Sequence, residues 1–103
     1  MFKVCGRTFA SVTYTDHALL RMFQRLVSEA EVLELLEFGV VIEEKPNAQP
    51  YPKLLVHKFV NGRPLHVAIG INETEQRCSV ITIYEPDTDT FLEDLKTRRL
   101  PEL

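Results

Sequence analysis

The chain has 103 residues, 45% of them hydrophobic and 26% charged, with a formal net charge of −3. This composition is typical of one folded globular domain and excludes a disordered chain. No apolar run approaches the ~18 residues that a membrane-spanning helix needs, and residues 1–6 lack the apolar stretch of a signal peptide. We therefore expect a single cytoplasmic domain over residues 1–103, with no membrane partner and with a peripheral tail at 87–103.

The first predicted elements are a strand and an amphipathic helix. Residues 8–14 are rich in β-forming side chains, and Thr15 or Asp16 can cap the helix that follows. Apolar residues then recur at i, i+3, i+4 and i+7, which predicts a helix face packed on a core. These residues are Leu19, Met22, Phe23 and Leu26.

A second helix has sequence signals at both ends. Ser28 and Glu31 form the pattern of a capping box, and Val27 and Val32 have the spacing of its hydrophobic staple. Gly39 is the expected end of this helix, at a position where a positive φ is convenient.

The chain after Gly39 reads as strands followed by a tail. Strands are predicted over residues 40–44, 54–60, 65–71 and 79–84. Asn61-Gly62 is a strong hairpin signal, and a short helix is expected around residues 91–95. Strands grouped after helices predict an α+β fold of order β-α-α-β-β-β-β, with two helices on one face of a four- to five-stranded, mainly antiparallel sheet.

Side chains alternate along a strand, so the hairpin at Asn61-Gly62 predicts which residues share a face. Residues Leu65, Val67, Ile69, Ile81 and Ile83 are predicted to face the helices. The opposite face would carry His57, His66, Ala68, Gly70, Val80, Thr82 and Tyr84. The two small residues of that set leave room there for a ligand.

The polar side of the first helix is one candidate site. His17, Arg21 and Arg25 are spaced i, i+4 and i+8, which places them on one helix face. In the first turn the helix dipole disfavours positive charge, which makes His17 a candidate base, and two arginines can bind a phosphodiester. The alternative is a solvated helix face, which every amphipathic helix has.

The sheet face away from the helices is a second candidate site. RNA cleavage without a metal needs an acid, a base and a cation that holds the phosphate. His66 and Tyr84 are the candidates for the acid and the base on this face. The alternative is a partly buried His66 with a satisfied ring, and His57 is expected at an edge or on the surface, with no role.

Metal and cofactor sites are not predicted. Histidines at 17, 57 and 66 lack a recognised metal-ligand spacing, and the sequence has neither a phosphate-binding Gly loop nor a dinucleotide fingerprint. We therefore expect no metal and no cofactor.

Four segments resemble a widespread bacterial family of small domains of unknown function. An H-A-x-x-R-M-x-x-R motif falls on residues 17–25, and the resemblance continues through residues 62–67, 80–86 and 97–99. The layout is similar to that of RelE-like toxins and related small metal-independent ribonucleases. The resemblance implies a site formed by His17, Arg21, Arg25, His66 and Tyr84. RelE-like proteins are usually basic, and the net charge of −3 departs from that pattern.

Two functions are predicted from these observations. The first is a RelE-like endoribonuclease or RNA-binding protein, in which His17, His66 and Tyr84 are catalytic and Arg21 and Arg25 bind RNA. The alternative is a non-catalytic interaction module of a toxin–antitoxin-like pair. It would bind a cognate antitoxin-like protein through the acidic second helix or a sheet edge. Convergence of His17, Arg21, His66 and Tyr84 in one cleft would favour the enzyme, and their dispersal would favour the module.

Overall fold

Two helices lie on one face of a five-stranded sheet. The computed structural model describes residues 1–87, 91–92 and 94–98. In chain order the elements are β1 (Phe2–Val4), β2 (Arg7–Phe9), β3 (Ser11–Tyr14), α1 (Asp16–Arg25), α2 (Glu29–Phe38), β4 (Val40–Lys45), β5 (Lys53–Val60), β6 (Arg63–Asn72) and β7 (Arg77–Tyr84). Among the described residues, neither ten-residue helix is long or apolar enough to cross a membrane.

The predicted fold class is confirmed. The sheet has the order β3-β7-β6-β5-β4, and its neighbouring strands are antiparallel except for the parallel pair β3 and β7. Strands β1 and β2 form an additional two-stranded sheet. The core lies between the helices and the large sheet, and its most enclosed side chains include Leu35, Leu36, Leu65, Ile69 and Ile83.

The predicted first strand is two strands. Residues 7–9 belong to a hairpin with β1, turning at Cys5 and Gly6, whose φ angles are 50° and 82°. Residues 11–14 join the large sheet beside β7. Phe9, on the hairpin strand β2, is buried in the core, whereas Val12 and Tyr14, on β3, are partly buried against it. Because two strands are involved, the segment has no single alternating pattern.

Helix α1 begins where the sequence predicts, but it packs with a different face. The Thr15 hydroxyl accepts a hydrogen bond from the Ala18 amide and donates one to the Ile81 carbonyl, and this second bond ties the start of the helix to β7. Ala18 and Met22 are the residues that α1 buries. The predicted packing face is wrong, because Phe23 and Leu26 are 80% and 81% exposed.

Helix α2 has the predicted capping box and staple. The Ser28 hydroxyl accepts from the Glu31 amide, the Glu31 carboxylate accepts from the Ser28 amide, and the two flanking valines are buried. Gly39 follows the helix with φ of −74°, so the expected positive φ is wrong. A Cβ on Gly39 would lie 2.4 Å from the Leu35 oxygen and 2.7 Å from Val56 Cγ1. Close approach to β5 is therefore the reason for glycine here.

The hairpin at Asn61 and Gly62 sets the face assignment of β5 and β6 as predicted. Both turn residues have positive φ, 51° and 81°, as a type I′ turn requires. In β7 a bulge shifts the register beside Ala68 and Ile69. As a result Val80 points into the core and Ile81 lies near Gly70 on the opposite face, so both predicted faces are wrong.

The tail returns across the sheet face opposite the helices. Phe91 and Arg98 pair as an antiparallel bridge, and the Leu92 amide donates to the Thr97 carbonyl. A short helix was expected around residues 91–95, and this prediction is wrong for the described residues of that segment, none of which is helical. Residue 93 lies outside the described residues. Phe91 is 1% exposed, which shows that this part of the tail is packed on the body of the protein.

Candidate functional site

The sheet surface opposite the helices, here called the outer face, carries most of the polar and aromatic side chains of the sheet. Strand pairing places the following residues on it: Glu43, Lys45, Lys53, Leu55, His57, His66, Ala68, Gly70, Ser79, Thr82 and Tyr84. His66 lies directly opposite Tyr84 on β7 and opposite His57 on β5. The predicted grouping of these three side chains on one face is present.

His66 is fully buried and both of its ring nitrogens have partners. Nε2 lies 2.6 Å from the Leu95 carbonyl, and Nδ1 lies 3.3 Å from the Tyr84 hydroxyl. A carbonyl oxygen can only accept, so Nε2 carries the proton and Nδ1 accepts from the Tyr84 O–H. His66 is therefore buried with a satisfied ring, as the alternative interpretation expected. However, one of its two partners is the Tyr84 hydroxyl, which can itself exchange a proton.

Burial shifts the pKa of both members of this pair. It lowers the pKa of His66, with the Leu95 carbonyl opposing the shift, so the ring is held neutral. It raises the pKa of Tyr84, with the positive charge of Arg98 opposing the shift, so the phenol keeps its proton. The resting pair is thus a neutral phenol that donates to a neutral imidazole.

His57 lies under the tail, beside His66. The two rings are 5.1 Å apart between centroids, and Nδ1 of His57 donates to the Leu65 carbonyl at 3.2 Å. His57 is buried, which corrects the expectation of an edge or surface residue. Burial lowers its pKa as well, so two adjacent imidazoles are kept neutral beneath the tail.

Arg98 connects the tail to the sheet beside Tyr84. Its Nε and Nη2 donate to the two carboxylate oxygens of Glu43 at 2.9 and 3.0 Å. Its guanidinium also lies 4.8 Å from the centroid of the Phe91 ring. The hydrogen bonds from Arg98 lower the pKa of Glu43, and the same contact raises the pKa of Arg98. Arg98 is half-exposed, so its charge is also felt at the surface of the outer face.

Two shallow pockets adjoin over the small residues of β6. One, of about 150 Å³, lies over Ala68, and its polar lining consists of Glu43, Lys45, Lys53, Tyr84 and Arg98. The other, of about 250 Å³, lies over Gly70, and its lining includes Tyr51, Lys53, Arg77 and Ser79. The room predicted beside Ala68 and Gly70 is therefore present, and Lys53 lies where the two pockets meet.

The α1 candidates do not join the outer face. Helix α1 packs on β7 and β3 from the other side of the sheet. His17 and Arg25 are exposed there, and Arg21 is half-buried with Nη1 3.5 Å from Gln24 Oε1. His66 and Tyr84 are thus brought together by the fold, whereas His17, Arg21 and Arg25 lie apart from them. The convergence of all these residues in one cleft, which would have favoured the enzyme, is therefore absent.

Several residues of the outer face were not predicted from the sequence. Lys45 and Lys53 could have been found by extending the strand alternation, since they lie opposite each other and Lys53 lies opposite Gly70. Arg98, Phe91 and Leu95 could not, because they reach the site through a tail that is distant in sequence. Among the described residues, no three His, Cys, Asp or Glu side chains are grouped closely enough to hold a metal ion.

Comparison with known proteins identifies a family for most of the chain. Residues 14–85 match the sequence profile of a family described as a domain of unknown function, DUF4258. The matched region begins at the last residue of β3, includes α1, α2 and strands β4 to β7, and ends just after Tyr84. No curated protein and no solved structure is significantly similar to the chain.

Proposed function

The chain belongs to the DUF4258 family of domains of unknown function, and we propose that it binds RNA on its outer face and cleaves it without a metal ion in the cytoplasm. The observation that carries this proposal is the hydrogen bond of Tyr84 to a neutral, buried His66 beside Arg98. The predicted similarity of the layout to that of RelE-like ribonucleases also supports this proposal.

The charges of the outer face favour a phosphodiester ligand. Lys45 and Lys53 form no ion pair within the described part of the chain, and both line the pocket that Tyr84 and Arg98 border. The net charge of −3 disfavours RNA binding by the molecule as a whole. However, the four glutamates of α2 all lie on the other side of the sheet, so the outer face can still attract phosphate.

The shape of the outer face favours an extended ligand. Both pockets, about 150 and 250 Å³, are smaller than the ~300 Å³ or more of a site that encloses a small molecule. They are open and joined at Lys53, and Tyr51 and Tyr84 line one pocket each. Cations that follow a backbone and aromatic rings that stack on bases are the usual means of binding single-stranded RNA.

The proposed chemistry uses the Tyr84–His66 pair as one base. The 2′-oxygen of RNA forms a bond to the adjacent phosphorus and the bond from phosphorus to the 5′-oxygen breaks, leaving a 2′,3′-cyclic phosphate. The proton of the 2′-hydroxyl passes to the Tyr84 oxygen as the Tyr84 proton passes to Nδ1 of His66, and a water molecule protonates the 5′-oxygen. The proton on His66 then returns through Tyr84 to the hydroxide that this water leaves, which restores the neutral pair. Because burial raises the pKa of Tyr84, a neutral acceptor behind it is required, and His66 supplies one.

The cations of the outer face take the phosphate-binding role in this proposal. Arg98 and Lys53 stabilise the charge that builds on the phosphate in the transition state. They supply the positive charge that Arg21 and Arg25 were expected to supply. His17, Arg21 and Arg25 lie on the other side of the sheet and take no part in this mechanism.

The experiment is cleavage of a single-stranded RNA oligonucleotide by the native chain in the presence of a chelator. A matched oligonucleotide with one 2′-deoxynucleotide at the cleaved position lacks the nucleophile and serves as the control. We expect 2′,3′-cyclic phosphate and 5′-hydroxyl ends from the first and no cleavage at that position in the second. RNA binding without cleavage would retain the binding function and remove the catalytic step.

The alternative function, a non-catalytic interaction module with an antitoxin-like partner, is favoured if the folded chain neither binds nor cleaves RNA. The acidic face of α2 is a weaker candidate for its contact surface than the sequence suggests. Glu34 already lies 3.2 Å from Lys58, and Glu31 is bonded to Asn61 and lies 3.5 Å from Arg63.

A further inference from the structure

The pocket over Gly70, here called the Gly70 pocket, has apolar side walls. Gly70 lies between Lys53 on β5 and Ser79 on β7, and its lack of a side chain leaves the outer face open at this point. Tyr51 and Ile81 line the pocket, and Ile81 Cδ1 lies 3.6 Å from the place that a Cβ on Gly70 would take. A volume of about 250 Å³ lined by an aromatic and an aliphatic side chain suits one planar ring.

Asn72 offers a hydrogen-bond donor to this pocket. It is 6% exposed, and its Oδ1 accepts from the Glu75 amide at 3.1 Å. Because a backbone N–H can only donate, this bond fixes the orientation of the carboxamide and leaves Nδ2 as its free end. Nδ2 has no partner among the described residues, and it is not fully enclosed, in contrast to the unpaired hydroxyl of Tyr14. Asn72 lines the Gly70 pocket, so this donor is available to a molecule bound there.

Ser79 and Arg77 supply further donors to the same pocket. Ser79 is paired with Gly70 across the sheet, and Arg77 is paired with Asn72. The Ser79 hydroxyl has no hydrogen-bond partner in the part of the chain that the structure describes. The Arg77 guanidinium is bonded to the Glu75 carboxylate through Nη1, which balances its charge and leaves the N–H groups on its other nitrogens to donate.

A pocket with this set of donors favours guanine over the other bases. Guanine presents two neighbouring acceptors, O6 and N7, on one edge, whereas adenine presents N7 beside an amino donor. Cytosine presents an amino donor on the corresponding edge, and uracil presents a single acceptor. A phosphate fits less well than a base, because the charge of Arg77 is already balanced and the walls formed by Tyr51 and Ile81 are apolar.

We propose that the Gly70 pocket binds a guanine base, with O6 and N7 accepting from the donors of Asn72 and Arg77 and the ring stacked on Tyr51. This inference rests on the proposed RNA binding and names the base that the outer face selects.

The guanine belongs to a nucleotide near the cleaved bond and not to the one whose 2′-hydroxyl Tyr84 deprotonates. Gly70 follows His66 by four positions on β6, which is roughly 13 Å at about 3.3 Å per residue. Lys53 lies where the two pockets meet, so it can hold a phosphate between the guanine and the cleaved bond.

The experiment compares the binding of four short single-stranded RNAs to the native chain. One contains only adenosine, and the others carry guanosine, inosine or 7-deazaguanosine at one central position. Inosine keeps O6 and N7, whereas 7-deazaguanosine lacks N7. All four carry 2′-O-methyl groups, so they cannot be cleaved. We expect the guanosine RNA to bind with a Kd about tenfold below that of the adenosine RNA. Inosine should match guanosine, and 7-deazaguanosine should fall between the two extremes.

Two substitutions in the pocket and one control test the residues involved. Asn72→Asp keeps an oxygen that accepts from the Glu75 amide and replaces the Nδ2 donor by an acceptor, so the adenosine-to-guanosine ratio of Kd values should fall from about ten to about one. Gly70→Ala reduces the room for the base and should also lower this ratio. Asn47→Asp adds the same charge at an exposed residue outside the pocket and should keep the native ratio.

Equal Kd values for all four RNAs would contradict this inference and leave the proposed RNA binding intact. Absence of binding by all four would instead contradict the RNA binding and this inference with it. A guanine preference that persists in both Asn72→Asp and Gly70→Ala would place the base elsewhere and would also overturn the assignment to the Gly70 pocket.

Discussion

Lys53 and Lys58 lie on the same strand and point to opposite faces of the sheet. Lys53 lies between the two pockets of the outer face, whereas the Lys58 ammonium lies 3.2 Å from the Glu34 carboxylate on the helix side. The two side chains carry the same charge and lie on the same strand, but they point to opposite faces of the sheet. They therefore form a matched pair for locating an RNA-binding surface.

Replacing Lys53 should weaken RNA binding more than replacing Lys58. Lys53→Gln removes one phosphate contact, so the Kd for single-stranded RNA should rise about three- to tenfold and the slope of log K against log salt should fall by about 0.7. Lys58→Gln should leave both quantities unchanged. Filter binding over a salt series measures both, and equal losses in the two variants would show that binding is not confined to the outer face.

Replacing Phe91 should destabilise the protein because its ring is packed edge-on against His66. The two ring centroids are 4.5 Å apart, and Phe91 is 1% exposed. Phe91→Ala should lower the free energy of unfolding by about 3 kcal/mol, while Leu92→Ala, at the neighbouring residue that is 39% exposed, should cost less than about 1 kcal/mol. Urea denaturation compares them. A Phe91→Ala variant as stable as the native chain would mean that the tail does not pack on the sheet.

Gly39 and Gly70 should respond differently to the same substitution. A Cβ at Gly39 would meet backbone and a buried valine below 3 Å, whereas at Gly70 the nearest atom, Ile81 Cδ1, is 3.6 Å away. Gly39→Ala should lower the free energy of unfolding by about 3 kcal/mol, and Gly70→Ala by less than about 1 kcal/mol. Thermal or urea unfolding tests this, and a tolerated Gly39→Ala would contradict the close packing of α2 on β5.

The hairpin, the capping box, the bulge in β7 and the packing of α1 show how far the fold could be predicted from the sequence. Turn chemistry at Asn61-Gly62 and the capping box at Ser28 act within a few residues, so their patterns were sufficient to predict the hairpin and the second helix. The bulge at Ile81 depends on pairing with β6 and was not visible in β7 alone. The rotation of α1 depends on bonds that Thr15 and Arg63 make to distant elements.

The candidate site could be predicted in part for the same reason. His66 and Tyr84 were placed on one face by strand alternation, a local rule. Arg98 and Leu95 reach that face through the tail, and no local pattern predicts where a tail packs. The expected involvement of His17 and Arg21 followed from helix spacing and from the family motif. Strand alternation had already assigned His66 and Tyr84 to the sheet face away from the helices, and the structure agrees with that assignment.

The stability of the fold should fall as pH drops through the range where histidine titrates. Burial lowers the folded-state pKa of His57 and His66 below the ordinary value of about 6.5, so below that pH the unfolded chain binds more protons than the folded one. Stability is therefore fully present above about pH 6.5 and declines from there toward pH 5.

Urea unfolding at several pH values between about 7.5 and 5 measures this loss, above the range in which carboxylates titrate. His57→Gln should make the decline shallower than in the native chain. His17→Gln, which replaces an exposed histidine, is the control and should keep the native pH dependence. Stability that is constant over this range would show that the two imidazoles are not held neutral by burial.

In the proposed function, Tyr84 carries the RNA chemistry of the outer face. The rate of RNA cleavage in chelator by the native chain, Tyr84→Phe and His17→Gln tests this role. Tyr84→Phe keeps the ring and removes the hydroxyl that donates to His66, so we expect the rate to fall by a factor of about 10² to 10⁴, while His17→Gln cleaves at the native rate. Undiminished cleavage by Tyr84→Phe, or its loss in His17→Gln, would contradict the account.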